Sequence, residues 1–220
     1  MVLTDLAYQG PKRGADRAVL LAHGAGADMN AATLTTVADA LADAGVPSLR
    51  FNFPYKAAGR RAPDRPPVLD AAVREAAGEL ARRAKLPPHR LVLGGRSMGG
   101  RICSMVAADG LGDNAARVLG LVLLGYPLHP PGKPERLRVE HFARLAMPAL
   151  FVSGTRDAFG APAELKQQTR KIKGPVSFHW IETADHGFKP LKSSGLTVGG
   201  VLTDVAAAVV QFVTGCANEK

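Results

Sequence analysis

The sequence predicts an α/β fold, a mostly parallel central sheet of about six to seven strands with helices on both faces. Two patterns point there. Short β-branched and leucine-rich runs alternate with helical windows along most of the chain. Those runs are also near-continuously apolar rather than alternating, the pattern of strands covered on both faces. Composition agrees with a soluble globular chain: 220 residues, 46% hydrophobic and 21% charged, with a mean hydropathy of +0.02. One domain spanning 1–220 is expected, with no internal repeat and no dividing linker.

Taken in order, the predicted strands are Val19 to His23, Pro47 to Phe53, Arg90 to Gly94, Val118 to Gly125, Ala149 to Gly154 and Val176 to Ile181. The first helix is predicted from Asn30 to about Ala44, with Leu34, Val37, Ala38 and Leu41 on one face and Gly45 as its stop. Others follow at Leu69 to Ala84, Met98 to Asp109, Ala163 to Lys171 and Gly200 to Val213. The apolar stretch Leu196 to Val213 is broken by Gly199, Gly200, Asp204 and Gln211, so a buried helix fits it better than a membrane span. Two segments lack a regular pattern, Tyr55 to Pro67 and Tyr126 to about Arg138. Both follow strands and so begin at the carboxyl edge of the sheet, where open α/β sheets bind ligands.

Local chemistry concentrates at Gly95-Arg96-Ser97-Met98-Gly99, a G-x-S-x-G pattern with an apolar strand before it and a helix after it. In that setting Ser97 sits on a strained turn that lifts its hydroxyl above the sheet edge, and small neighbours remove the Cβ atoms that would collide there. A bland glycine-rich turn is the competing reading. A serine hydroxyl needs a base and a group to orient that base. Asp157 follows the strand at Ala149, and His186 follows the strand at Val176, in the order Ser, Asp, His. Asp185, the immediate neighbour of His186, is poorly placed to reach the ring's Nδ1, which leaves Asp157 as the acid. Taken singly, each would read as a solvated loop residue.

An oxyanion needs two donors. Met98 N–H, opening the helix, is one, and Ala25 N–H in His23-Gly-Ala-Gly-Ala-Asp is the other, with Gly26 in reserve. His23 reads as structural rather than as a second base. Gly26, Tyr55, Arg96 and Tyr126 are candidate substrate contacts.

Two phosphate-loop readings fail. Met29 stands where a third glycine of a dinucleotide fingerprint belongs, and Arg101-Ile102 stands where a P-loop requires Lys then Ser or Thr. No metal-ligand spacing appears, and no cofactor is expected. Cys103 and Cys216 are too few for a disulfide scaffold. They point to a reducing compartment, and with no signal peptide apparent at the N-terminus a cytoplasmic location is expected.

The H-G-A-G-A-D-M, G-R-S-M-G-G-R, G-Y-P-L and S-G-T-R-D segments together resemble small serine hydrolases of the α/β-hydrolase superfamily. Within it they look closest to a dienelactone-hydrolase-like branch that includes a testis-expressed homologue and a subunit of the nonspecific-lethal chromatin complex. The resemblance runs from about Val19 to Val213. It implies Ser97 as nucleophile, Asp157 as acid, His186 as base, and Ala25 and Met98 as oxyanion donors. Dienelactone hydrolases proper use a cysteine where this chain has Ser97, so their substrate is not inherited. The short interval from Gly125 to Ala149 excludes a large helical lid and implies an open pocket.

The expected function is cleavage of an ester or thioester of a small acyl substrate. A non-catalytic interaction scaffold and a small serine peptidase are the alternatives. The oligomeric state is left open. Net charge is +9, and Lys56, Arg60, Arg61, Arg65, Lys133, Arg136 and Arg138 fall on or near the two rim loops, with Arg96 and Arg101 flanking Ser97. A solvated basic surface is the default reading, and a positive field drawing anionic substrates is the sharper one. No basic–aromatic module supports nucleic-acid binding, and no membrane partner is expected.

Overall fold

A computed structural model describes residues 3–112 and 115–216. Seven strands form one sheet: β1 (Leu6–Gln9), β2 (Ala18–Ala22), β3 (Ser48–Phe51), β4 (Leu91–Arg96), β5 (Gly120–Leu124), β6 (Ala149–Gly154) and β7 (Val176–Ile181). Their spatial order is β1-β3-β2-β4-β5-β6-β7. Only β1 runs antiparallel, against β3; the other neighbours are parallel. The helices are α1 (Ala32–Asp43), α2 (Pro54–Ala57), α3 (Pro66–Ala84), α4 (Met98–Asp109), α5 (Pro162–Thr169) and α6 (Val198–Gly215).

Strand pleating sorts the core into two layers. Leu20, Leu93 and Leu121 face the side covered by α3 and α4. Val19, Val92 and Val122 face the opposite side, where α1 and α6 pack. β2, β4, β5 and β6 bury almost every residue, which is why they read as unbroken apolar runs. β7 is an edge strand and is only partly buried except at Ile181. α6 is long and apolar enough to cross a membrane by length and composition. Here it packs Val201, Val205 and Val209 into the core, and Arg17 Nη1 closes its C-terminal end by donating to the carbonyls of Val213 and Cys216 at 2.6 and 3.0 Å.

The structure differs from expectation at three places. β1 lies outside the predicted strands: its four residues include Ala7 and Gln9, and only partial burial of Leu6 and Tyr8 gives it an apolar face. The segment after β3 is not wholly irregular, since it forms the one-turn α2. α3 also starts earlier than expected, with Pro66 and Pro67 in its first turn, where a missing N–H costs nothing. The interval 126–148 holds only a short 3₁₀ turn, Phe142–Arg144, so no helical lid stands over the carboxyl edge.

Candidate active site

Ser97 occupies the junction between β4 and α4 with φ 50° and ψ −115°, a conformation a side-chain-bearing residue holds only when its surroundings impose it. Ser97 N–H donates to Leu124 O at 2.9 Å, and Ser97 O accepts from Arg101 N–H at 3.0 Å. The flanking glycines are required by packing. A Cβ at Gly95 or at Gly99 would collide with the backbone of Ala22 on the neighbouring strand. The turn is thereby pressed against β2, and the hydroxyl has nowhere to project but into the cleft.

His186 lies on the loop after β7, and its Nε2 is 2.9 Å from Ser97 Oγ. Its Nδ1 is 2.8 and 3.0 Å from the two carboxylate oxygens of Asp157. A carboxylate only accepts, so Nδ1 carries the proton and Nε2 is left to accept from Ser97. The Asp157 side chain is fully buried, and its Oδ1 also accepts from Phe159 N–H at 2.8 Å. The Phe159 ring stacks on the imidazole with centroids 4.0 Å apart. Sequence reasoning missed Phe159; the only signal was its place two residues beyond the acid. Asp185 turns away from the imidazole. Its Oδ1 accepts from Gly187 and Lys189 N–H at 2.8 and 3.0 Å and so shapes the loop that carries His186.

The loop after β2 runs beside the serine, and a Cβ built on Gly24 would lie 3.6 Å from Ser97 Cβ. His23 is fully buried and structural, as expected. Its Nδ1 donates to Gly24 O at 2.8 Å and its Nε2 accepts from Phe53 N–H at 3.0 Å. Both bonds need the neutral ring, and burial holds its pKa below the ordinary value. Met98 N–H is the first of α4, where no intrahelical acceptor exists. Among the described residues Ala25 N–H also donates to no protein group.

The cleft above Ser97 encloses about 670 Å³, and its lining includes Gly26, Met98, Arg96 and Phe159. Tyr55 and Tyr126 do not line it, which corrects two of the expected substrate contacts. Both are fully buried, because Tyr55 in α2 and Tyr126 just after β5 each turn the ring into the α3/α4 core layer. The Tyr55 hydroxyl donates to Ala25 O at 2.9 Å, and burial pushes its pKa up to about 12. The Tyr126 hydroxyl donates to Arg138 O at 2.6 Å. Each tyrosine holds a rim loop in place from below. Arg96 reaches the cleft but is anchored: Nη1 donates to Leu124 O at 3.1 Å, and the guanidinium lies 4.7 Å from the Phe188 ring centroid. Burial pulls its pKa down to about 10, against the nearby Asp157 and Asp185 carboxylates. Among the described residues no metal-binding group of His, Cys, Asp and Glu occurs.

A strained serine between strand and helix, facing an imidazole backed by a buried carboxylate on a doubly covered parallel sheet, is the arrangement of an α/β-hydrolase. Comparison with known proteins identifies the family: residues 15–214 match the alpha/beta hydrolase domain family, and the chain belongs to it. Solved structures share the fold at low identity. An alpha-beta serine hydrolase homologue from Coxiella burnetii is 22% identical with a TM-score of 0.71, covering 94% of this chain and 90% of that one. A dienelactone hydrolase from Anabaena variabilis is 20% identical with a TM-score of 0.72, covering 97% and 92%. Est1E from Butyrivibrio proteoclasticus, solved with ferulic acid bound, is 13% identical with a TM-score of 0.74, covering 96% and 94%.

Proposed function

We propose that this protein is a serine hydrolase that cleaves a carboxylic ester or thioester of a small substrate through an acyl-Ser97 intermediate. The observation that carries the reading is the unbroken hydrogen-bonded line from Ser97 Oγ through the His186 ring to Asp157. His186 Nε2 takes the hydroxyl proton as Oγ attacks the carbonyl carbon, and the tetrahedral oxyanion is met by Met98 and Ala25 N–H. The positive end of α4 favours that negative charge. Collapse of the intermediate expels the alcohol or thiol, which receives the proton from His186. Water, deprotonated in turn by His186, then attacks the acyl carbon and frees Ser97. Asp157 keeps the imidazole in the required tautomer and stabilises its cation. The serine hydrolase homologue and the dienelactone hydrolase among the fold neighbours support the same reaction class.

The test is turnover of short-chain para-nitrophenyl esters by the wild type and by Ser97→Ala. Hydrolysis that falls to background in the variant supports the reading, and hydrolysis that persists moves the chemistry off Ser97.

A further inference from the structure

Arg101 and Arg138 both line the cleft beside Ser97, and among the described residues neither forms an ion pair with a carboxylate. Among the described residues the only side-chain hydrogen bond of Arg101 runs from Nη1 to the Met105 sulfur at 3.4 Å, and the Arg138 guanidinium has no ion pair or hydrogen bond. The wider rim differs: Arg60 is closed off by Asp64 at 2.7 Å. Like charges left unpaired in a partly dry cleft are costly. Burial and the neighbouring Arg101 cation hold the Arg138 pKa below its ordinary value. An anion bound between the two side chains relieves that cost.

The pair is held in position. Arg101 sits one helical turn beyond Ser97, its N–H bonded to Ser97 O, so its side chain leaves α4 from the turn that presents Met98 N–H. The backbone of Arg138 is pinned twice: its N–H donates to Leu128 O at 2.9 Å, and its carbonyl accepts from the buried Tyr126 hydroxyl. Two carboxylates approach the site. Asp64 also lines the cleft, with its Oδ1 held by Arg60 and its Oδ2 buried without a hydrogen-bond partner among the described residues, and Asp157 is sealed behind His186. Arg96 adds charge of the same sign but is committed to the Leu124 carbonyl.

We infer that Arg101 and Arg138 form an anion-recognition subsite, so that the preferred substrates are esters or thioesters carrying a carboxylate or similar oxyanion group. The inference rests on the acyl-Ser97 reading for the reaction and adds the substrate class. Arginine forks suit a carboxylate, and charge-assisted hydrogen bonds of this kind are worth roughly tenfold or more in binding each.

The experiment separates binding from turnover. Calorimetry on Ser97→Ala compares the para-nitrophenyl half-ester of succinic acid with its neutral isostere, the para-nitrophenyl ester of isocaproic acid. A second pair places the carboxylate on the alcohol, para-carboxyphenyl against para-tolyl isocaproate. The expected result is binding of the anionic member at least about tenfold tighter in one pair or the other, a preference that shrinks as salt rises toward ~0.3 M. Added to Ser97→Ala, Arg101→Gln or Arg138→Gln reduces that ratio about tenfold, and Arg138→Lys reduces it less because the charge remains. Equal binding within both pairs, or a ratio unmoved by the double Gln variant, overturns the subsite. Failure of the wild type to hydrolyse any of the esters overturns the hydrolase reading instead, while the charge preference in binding stands or falls by itself.

Discussion

At the scale of single residues the site depends on which atoms can only donate and which can only accept. Asp157 holds His186 Nδ1 through both carboxylate oxygens, which fixes the proton on that nitrogen and leaves Nε2 bare toward Ser97. Asp157→Asn presents an amide that can donate to Nδ1, and the opposite tautomer then directs Nε2–H at the serine. The expected outcome is a fall in kcat of about 10³–10⁴ with the fold intact, measured on a para-nitrophenyl ester beside a circular dichroism melt. Rate retained within about tenfold would mean that the carboxylate does not orient the base. Gly95 and Gly99 act by absence, since each leaves room for the backbone of Ala22.

Elements position these residues by being tied to one another. His141, from the segment between β5 and β6, meets Ser104 on α4 at 2.7 Å through Nε2. Ser104 in turn donates to Arg101 O at 2.7 Å, so Nε2 is the donor to the serine. Burial first, then Arg101 and Arg144, lower the His141 pKa to about 4, against an opposing pull from Glu140 and Asp109. Because the folded value lies below the unfolded value of 6.5, the folded chain binds fewer protons than the unfolded chain in this range. Stability is therefore full above about pH 6.5 and is lost as the pH falls toward 4, by up to about 3 kcal/mol from this group. His23, lowered by burial as well, acts in the same direction. Urea unfolding at pH 7 and pH 4.5 checks this: the wild type loses stability on acidification, and His141→Gln loses less of it. An equal loss in both would show that His141 does not titrate with unfolding.

For the molecule as a whole, the sheet order places Ser97, Asp157 and His186 at the carboxyl ends of β4, β6 and β7. This much was legible in the sequence, because strands buried on both faces leave unbroken apolar runs and because Ser97, Asp157 and His186 each stand just beyond one. The rest was hidden for physical reasons. β1 has four residues and a half-wet edge position, so it left no apolar run. Tyr55 and Tyr126 stand at the expected loop starts, yet side-chain direction at a strand exit depends on packing, and both rings turned inward. That neither Arg101 nor Arg138 pairs with a carboxylate among the described residues is a fact of three-dimensional neighbours that spacing along the chain does not encode. Since every part of the account converges on the Ser97 hydroxyl as the attacking group, the most direct measurement is mass spectrometry of the protein after reaction with a fluorophosphonate. One adduct is expected, on the peptide containing Ser97, formed by the wild type and absent in His186→Ala. Adduct on a different residue, or a wild type that hydrolyses esters yet carries no label on Ser97, would contradict it.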